Sequence, residues 1–161
     1  MTKTTTAPGP AVGDAAPAFT LPTNGGGEAS LADYAGKTVV LYFYPRDDTP
    51  GCTTEAQGFT AAKGDFEAAG AVVVGVSKDS VAKHDKFAAK RELDVILASD
   101  ENGTTCEDYG VWVEKNMYGK KSMGIERATY LIDGAGTVAR VWRKVKVPGH
   151  VDEVLEAAKA L

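Results

Sequence analysis

The strongest constraint on the fold is a seven-residue run, Thr38-Val39-Val40-Leu41-Tyr42-Phe43-Tyr44, with no polar alternation beyond its first residue. A strand with one wet face alternates apolar and polar residues. A run that is apolar throughout is buried on both faces, as at the centre of a sheet. Gly36 and Pro45 bound this run, and Ala71 to Ser77 forms a second one. Between them, residues 53–69 carry helical spacing, with Ala56, Phe59, Ala62 or Lys63, and Phe66 on one side and Gly70 as the C-terminal cap. A strand, a helix and a strand in that order place the two strands parallel. The pattern continues with a helix over 80–91, capped by Ser80 or Asp79, and a third strand from Val95 to Ala98. A short helix is expected over 102–109. Strands Ala128 to Ile132 and Thr137 to Val141 then flank Asp133-Gly134-Ala135-Gly136, a hairpin signal. Val151, Val154, Leu155, Ala158 and Leu161 give a final helix, from about residue 150, one apolar face.

Upstream, Ala18 to Leu21 and Glu28 to Leu31 flank Asn24-Gly25-Gly26-Gly27 and read as an N-terminal β-hairpin. No GKS or GKT follows the glycines, so a turn is preferred to a phosphate loop. The expected architecture is therefore α/β: a central mixed β-sheet flanked by helices on both faces, with an N-terminal hairpin. Residues 1–10, mostly Thr, Pro and Ala, are expected to form a flexible tail, and 11–161 a single domain.

Composition narrows the function. Eighteen Lys and Arg against 22 Asp and Glu leave a net charge of −4 with no basic block, unlike a nucleic-acid binder. No apolar run approaches the roughly 20 residues of a membrane span. Only two cysteines are present, Cys52 and Cys106, and no secretory leader is legible, so a cytoplasmic location is expected. In that setting a cysteine is a reactive or buried thiol rather than half of a permanent bridge.

The informative segment is Pro45-Arg46-Asp47-Asp48-Thr49-Pro50-Gly51-Cys52-Thr53-Thr54-Glu55. It follows the central strand at its C-terminal end, where open α/β sheets hold ligands. Pro50 and Gly51 form a turn and a helix begins around Cys52. The sulfur then sits in a first helical turn, near unpaired N–H groups and the positive end of the dipole, which stabilise an anionic nucleophile. Glu55, read as lying in that same turn, complements the dipole, with a role in holding the pocket as the other reading.

Pro45-x-x-x-Thr49-x-x-Cys52 resembles the active-site motif of peroxiredoxins. The longer match runs from Tyr42-Phe43-Tyr44-Pro45 through Glu55-Ala56 and Phe59, and is similar to the bacterioferritin comigratory protein, or Q-type, subfamily. Gly75-Val76-Ser77-x-Asp79-Ser80 with His84 and Phe87, Ser99-Asp100, Tyr109-Gly110-Val111, and Arg127-Ala128-Thr129-Tyr130-Leu131-Ile132-Asp133 extend it. Val145-Lys146-Val147-x-Gly149-His150 ends it, so the likeness spans about residues 12–161. It implies a thioredoxin-like fold and a thiol-dependent peroxidase acting on hydrogen peroxide and organic hydroperoxides. Cys52 becomes the peroxidatic cysteine, Thr49 and Arg127 its partners, and Pro45 the residue that shields the pocket. The chemistry suits these residue types. A thiolate attacks one peroxide oxygen and becomes sulfenic acid while the other oxygen leaves with the charge. A guanidinium can donate to both centres, and a hydroxyl can accept from the peroxide. A free thiol of pKa about 8.5 is roughly 3% ionised at pH 7, so ionisation alone gives about 30-fold, and anything more must come from positioning.

The chain departs from the subfamily at Gln57, where many members carry a resolving cysteine five residues after the peroxidatic one; others carry it in the next helix, where residues 80–91 have none. Cys106 is the remaining candidate and reads first as a packed thiol. The expected cycle therefore uses one cysteine, resolved by thioredoxin or a similar external thiol. A two-cysteine cycle through Cys106 is the alternative, and a non-peroxidatic thioredoxin-fold reductase or scaffold a further one. The reductase reading is weakened because no CxxC is present. No cofactor is expected. His84 and His150 lack metal-ligand spacing, so no metal site is expected either. The absence of a long arm after the last helix points to a monomer.

Overall fold

A computed structural model describes residues 9–161, Met117 by its backbone alone. Three parallel strands, β3 (Thr38–Phe43), β4 (Ala71–Ser77) and β5 (Ile96–Ser99), are three of the five strands of the central sheet. β8 (Ala128–Ile132) pairs antiparallel with β3, and β9 (Val138–Trp142) antiparallel with β8, giving the order β5-β4-β3-β8-β9. β3 is central, and the side chains of its apolar run divide between the two faces. Val39, Leu41 and Phe43 enter one core cluster, and Val40, Tyr42 and Tyr44 the other.

The second cluster is closed by helices α1 (Pro50–Ala61), α2 (Lys63–Ala68), α3 (Val81–Arg91) and α5 (His150–Lys159), through Ala56, Phe59, Phe66, Phe87, Val154, Leu155 and Ala158. The first is closed by Leu21 and Ala29 of the hairpin β1 (Thr20–Pro22) and β2 (Glu28–Ser30), by Phe19 just before it, and by Cys106 of the short α4 (Thr105–Asp108). α1 is held on the sheet by Phe59, which stacks on Tyr42 at 4.6 Å, a contact worth about 0.5–1.5 kcal/mol beyond its area. Gly75 makes that position possible, because a Cβ there would lie 2.6 Å from Tyr42 Cζ.

Three expectations need correction. The helix read over 53–69 is two helices, broken at Ala62, whose φ of −93° and ψ of 4° leave the helical well. The first begins at Pro50 rather than around Cys52, because proline's missing N–H costs nothing at a helix start. The short helix read over 102–109 is confined to four residues. A hairpin that was not anticipated, β6 (Trp112–Met117) and β7 (Lys120–Ile125), turns at Tyr118-Gly119, both with positive φ. Of the tail expected over 1–10, residues 1–8 lie outside the described residues, whereas Gly9 packs so closely on the Tyr109 carbonyl that a Cβ would clash. Among the described residues no helix is long and apolar enough to cross a membrane.

Candidate active site

The loop from Pro45 to Thr49 leaves the C-terminal end of β3 and delivers the chain into α1. Thr49 is the extended N-cap (φ −98°, ψ 156°) and Pro50 the first helical residue, so Cys52 is the third. Thr53 N–H donates to the Thr49 carbonyl at 2.8 Å, closing the first helical turn around the cysteine. The Thr49 side chain does not cap the helix. Its hydroxyl donates to Arg46 O at 2.9 Å, which commits the proton and leaves the oxygen able only to accept. Pro45 is exposed at the mouth end of β3, next to the buried Tyr44.

Cys52 is 1% exposed. Arg127, on the link between β7 and β8, points Nη2 at its sulfur, 3.3 Å away. Nη1 of the same guanidinium donates to Glu55 Oε1 at 2.6 Å. One planar group thus bridges the thiol and a buried carboxylate, and its orientation is set by the second contact. Gly51 permits the approach, since a Cβ there would sit 3.1 Å from Arg127 Nη2. Burial works against the charge of Arg127, yet Glu55 and Cys52 outweigh it and raise its pKa.

Glu55 is fully buried and lies in the second turn of α1, not the first. The dipole reading is therefore corrected: the carboxylate's role is to hold Arg127. Complete burial and a close ion pair pull its pKa in opposite directions. Burial wins, in keeping with an Oε2 that has no hydrogen-bond partner among the described residues, and pushes the carboxyl up to about 7. Lys115 of β6 lays its side chain over Gly124, and burial and Arg127 lower its pKa against the pull of Cys52 and Glu126.

Cys106 is not part of this assembly. It is fully buried in the core cluster on the opposite face of the sheet from Cys52. Its N–H donates to Asp100 Oδ2 at 2.8 Å, and burial together with the Asp100 charge pushes its thiol far above the ordinary range. Of the residues named from the sequence, Arg127 and Glu55 meet at Cys52, one turn beyond Thr49, whereas Cys106, the candidate resolving thiol, lies apart from them. The sequence reading misses Gly51, whose signal is only its place before the cysteine. Among the described residues there is no group of three or more His, Cys, Asp or Glu side chains arranged to hold a metal.

Residues 12–141 match the AhpC/TSA family. Peroxiredoxin Bcp of Xanthomonas campestris is 50% identical over 144 residues, 88% of this chain and 90% of its own. Among solved structures, the bacterioferritin comigratory protein of X. campestris, described for its alkyl peroxide reduction activity, superposes with a TM-score of 0.84 at 48% identity, covering 88% of this chain and 90% of its own. A Cys→Ser variant of Xylella fastidiosa PrxQ gives 0.89 at 42%, covering 93% and 96%. A thiol beside a fixed guanidinium at a helix start, on a sheet shared with these proteins, leaves one assignment: the chain belongs to the AhpC/TSA family, in its Bcp or Q-type peroxiredoxin branch, and is a thiol peroxidase.

Proposed function

We propose that Cys52 is the peroxidatic residue and that Thr49, Arg127 and Pro45 form its peroxide pocket. The observation that carries this is the 3.3 Å contact between Arg127 Nη2 and Cys52 Sγ, with Nη1 already anchored on Glu55. The sulfur attacks the terminal oxygen of ROOH and the O–O bond breaks. Sulfur keeps OH as sulfenic acid, and RO⁻ takes a proton and leaves as ROH. Charge moves from sulfur to the departing oxygen, and a guanidinium beside both donates to each in turn. Thr49 Oγ1, its proton given to Arg46 O, accepts the peroxide's O–H and orients it. Pro45 walls the pocket from the exposed side.

The proposed cycle uses one cysteine. Gln57 offers no thiol, and the burial of Cys106 across the sheet supports an external reductant over an internal disulfide. A thiol such as that of thioredoxin attacks the sulfenic sulfur, water leaves, and a second thiol releases Cys52. The alkyl peroxide activity of the X. campestris relative supports organic hydroperoxides as substrates beside hydrogen peroxide. Two unpaired thiols fit a cytoplasmic setting, and a monomer is the proposed state. Stopped-flow peroxide consumption by wild type and Cys52→Ser tests the assignment. The serine variant should be inactive, and turnover above a few per cent of wild type would move the chemistry to another residue.

A further inference from the structure

The loop that presents Cys52 carries a buried polar cluster that the peroxide chemistry does not use. His84, fully buried on α3, has Nδ1 2.6 Å from Asp47 Oδ2 and Nε2 3.0 Å from the Ala98 carbonyl. A carbonyl only accepts, so Nε2 carries a hydrogen. The 2.6 Å contact to Asp47 requires a second proton between Nδ1 and Oδ2. Asp47 is further held by Tyr44, whose hydroxyl donates to Oδ1 at 2.6 Å, and its own N–H donates to Asp79 Oδ2 at 2.7 Å. Asp79 is fixed in turn by the Ser77 hydroxyl at 2.8 Å. Asp48, the next residue, has a left-handed backbone (φ 60°) and reaches Lys90 and Arg91 of α3, but at the surface. The loop is therefore tethered to α3 twice, once through a buried pair and once through exposed ones.

A peroxide can enter a small pocket, but a bulky thiol cannot reach a sulfur that is 1% exposed. The first turn of α1 must leave its seat before the sulfenic acid is resolved. We propose that the buried Asp47–His84 pair is the latch on that movement: His84 is a positioning residue that holds the Pro45–Thr49 loop, and through it Cys52, in the closed, peroxide-reactive arrangement. This rests on Cys52 being the peroxidatic thiol. The latch sets the fraction of molecules open at any moment, and attack through a minor open state scales with that fraction.

The test compares Asp47→Ala, His84→Gln, their double variant and the surface control Asp48→Asn, which removes the charge but still suits the left-handed backbone. Amide hydrogen exchange of the reduced protein over residues 46–53 reads the latch without reference to catalysis. Loss of one charge-assisted buried bond should speed exchange there about 10- to 100-fold, and the double variant should match the singles. Asp48→Asn should change it by about fivefold or less. The rate at which dimedone captures the Cys52 sulfenic acid should rise with exchange, while the peroxide step falls by a smaller factor. A variant that only damaged the fold would slow both half-reactions. Exchange within twofold of wild type, additive singles, or dimedone capture that does not rise would overturn the latch. Asp47→Ala keeps the test available if His84→Gln does not fold. Failure of Cys52→Ser to lose activity would refute the catalytic reading instead, leaving the exchange result to stand alone.

Discussion

Replacing Glu55 by Gln should make the protein more stable at pH 8, although it removes one member of a buried ion pair. Glutamine keeps the shape and an oxygen for Arg127 Nη1. It removes the charge that burial opposes. Glu55 has its pKa pushed up from 4.5 to about 7 in the folded protein. Between those values the folded state holds a proton that the unfolded state has released, so folding stability falls as pH rises through the window. The cost is complete above pH 7, and a shift of that size is worth about 3 kcal/mol. Below pH 4.5 both proteins are neutral at this position and should unfold alike. Denaturant unfolding of reduced wild type and Glu55→Gln across pH 4 to 8 measures the difference directly. The variant should gain relative stability steadily across that range, as the raised pKa of Glu55 requires. If Glu55→Gln is less stable than wild type by the same margin at every pH, the Arg127 attraction exceeds the burial cost and the reasoning fails.

Other outcomes follow from the same geometry. Arg127→Ala, which removes a donor to the developing anion, and Thr49→Val, which removes the acceptor that orients the peroxide, should each slow Cys52 oxidation by roughly 10²–10³-fold with the fold retained; a wild-type rate in stopped flow would remove the residue from the pocket. Gly51→Ala should slow the same step by about tenfold, because its Cβ would sit 3.1 Å from Arg127 Nη2 and displace the guanidinium. Cys106→Ser should keep full peroxidase turnover and unfold within about 1 kcal/mol of wild type, because the new hydroxyl meets the Asp100 carboxylate that the thiol already faces, read by thermal unfolding.

The legible parts of the fold are those where burial dictates residue type. The β3 run announces a central strand because both of its faces are packed, and the glycines of 133–136 announce a turn. The β6–β7 ribbon was missed because Glu114, Asn116, Lys120, Lys121 and Ser122 are exposed, which leaves little apolar alternation to detect. Its one signal is the Tyr118-Gly119 pair. At the site, Cys52 and Thr49 are close in sequence and can be read from local turn chemistry. Arg127 is 75 residues from Cys52 and 72 from Glu55, so only the family resemblance links it to the thiol. The second role of Glu55 is invisible locally, because a glutamate early in a helix is equally suited to the dipole. The Asp47–His84 pair is hidden for the same reason: two ordinary surface residue types become a buried contact only when α3 packs beside the loop.

The central claim, peroxide reduction at Cys52 with an outside thiol completing the cycle, is tested by one measurement. Reduced protein is treated with one equivalent of hydrogen peroxide, trapped with or without dimedone, and its intact mass and modified residue are determined. The expected product is heavier by about 16 Da, one added oxygen, or carries a dimedone adduct at Cys52, and excess peroxide should carry part of it on to sulfinic acid. A loss of about 2 Da with no adduct, absent in Cys106→Ser, would be an internal disulfide and would contradict the one-cysteine cycle.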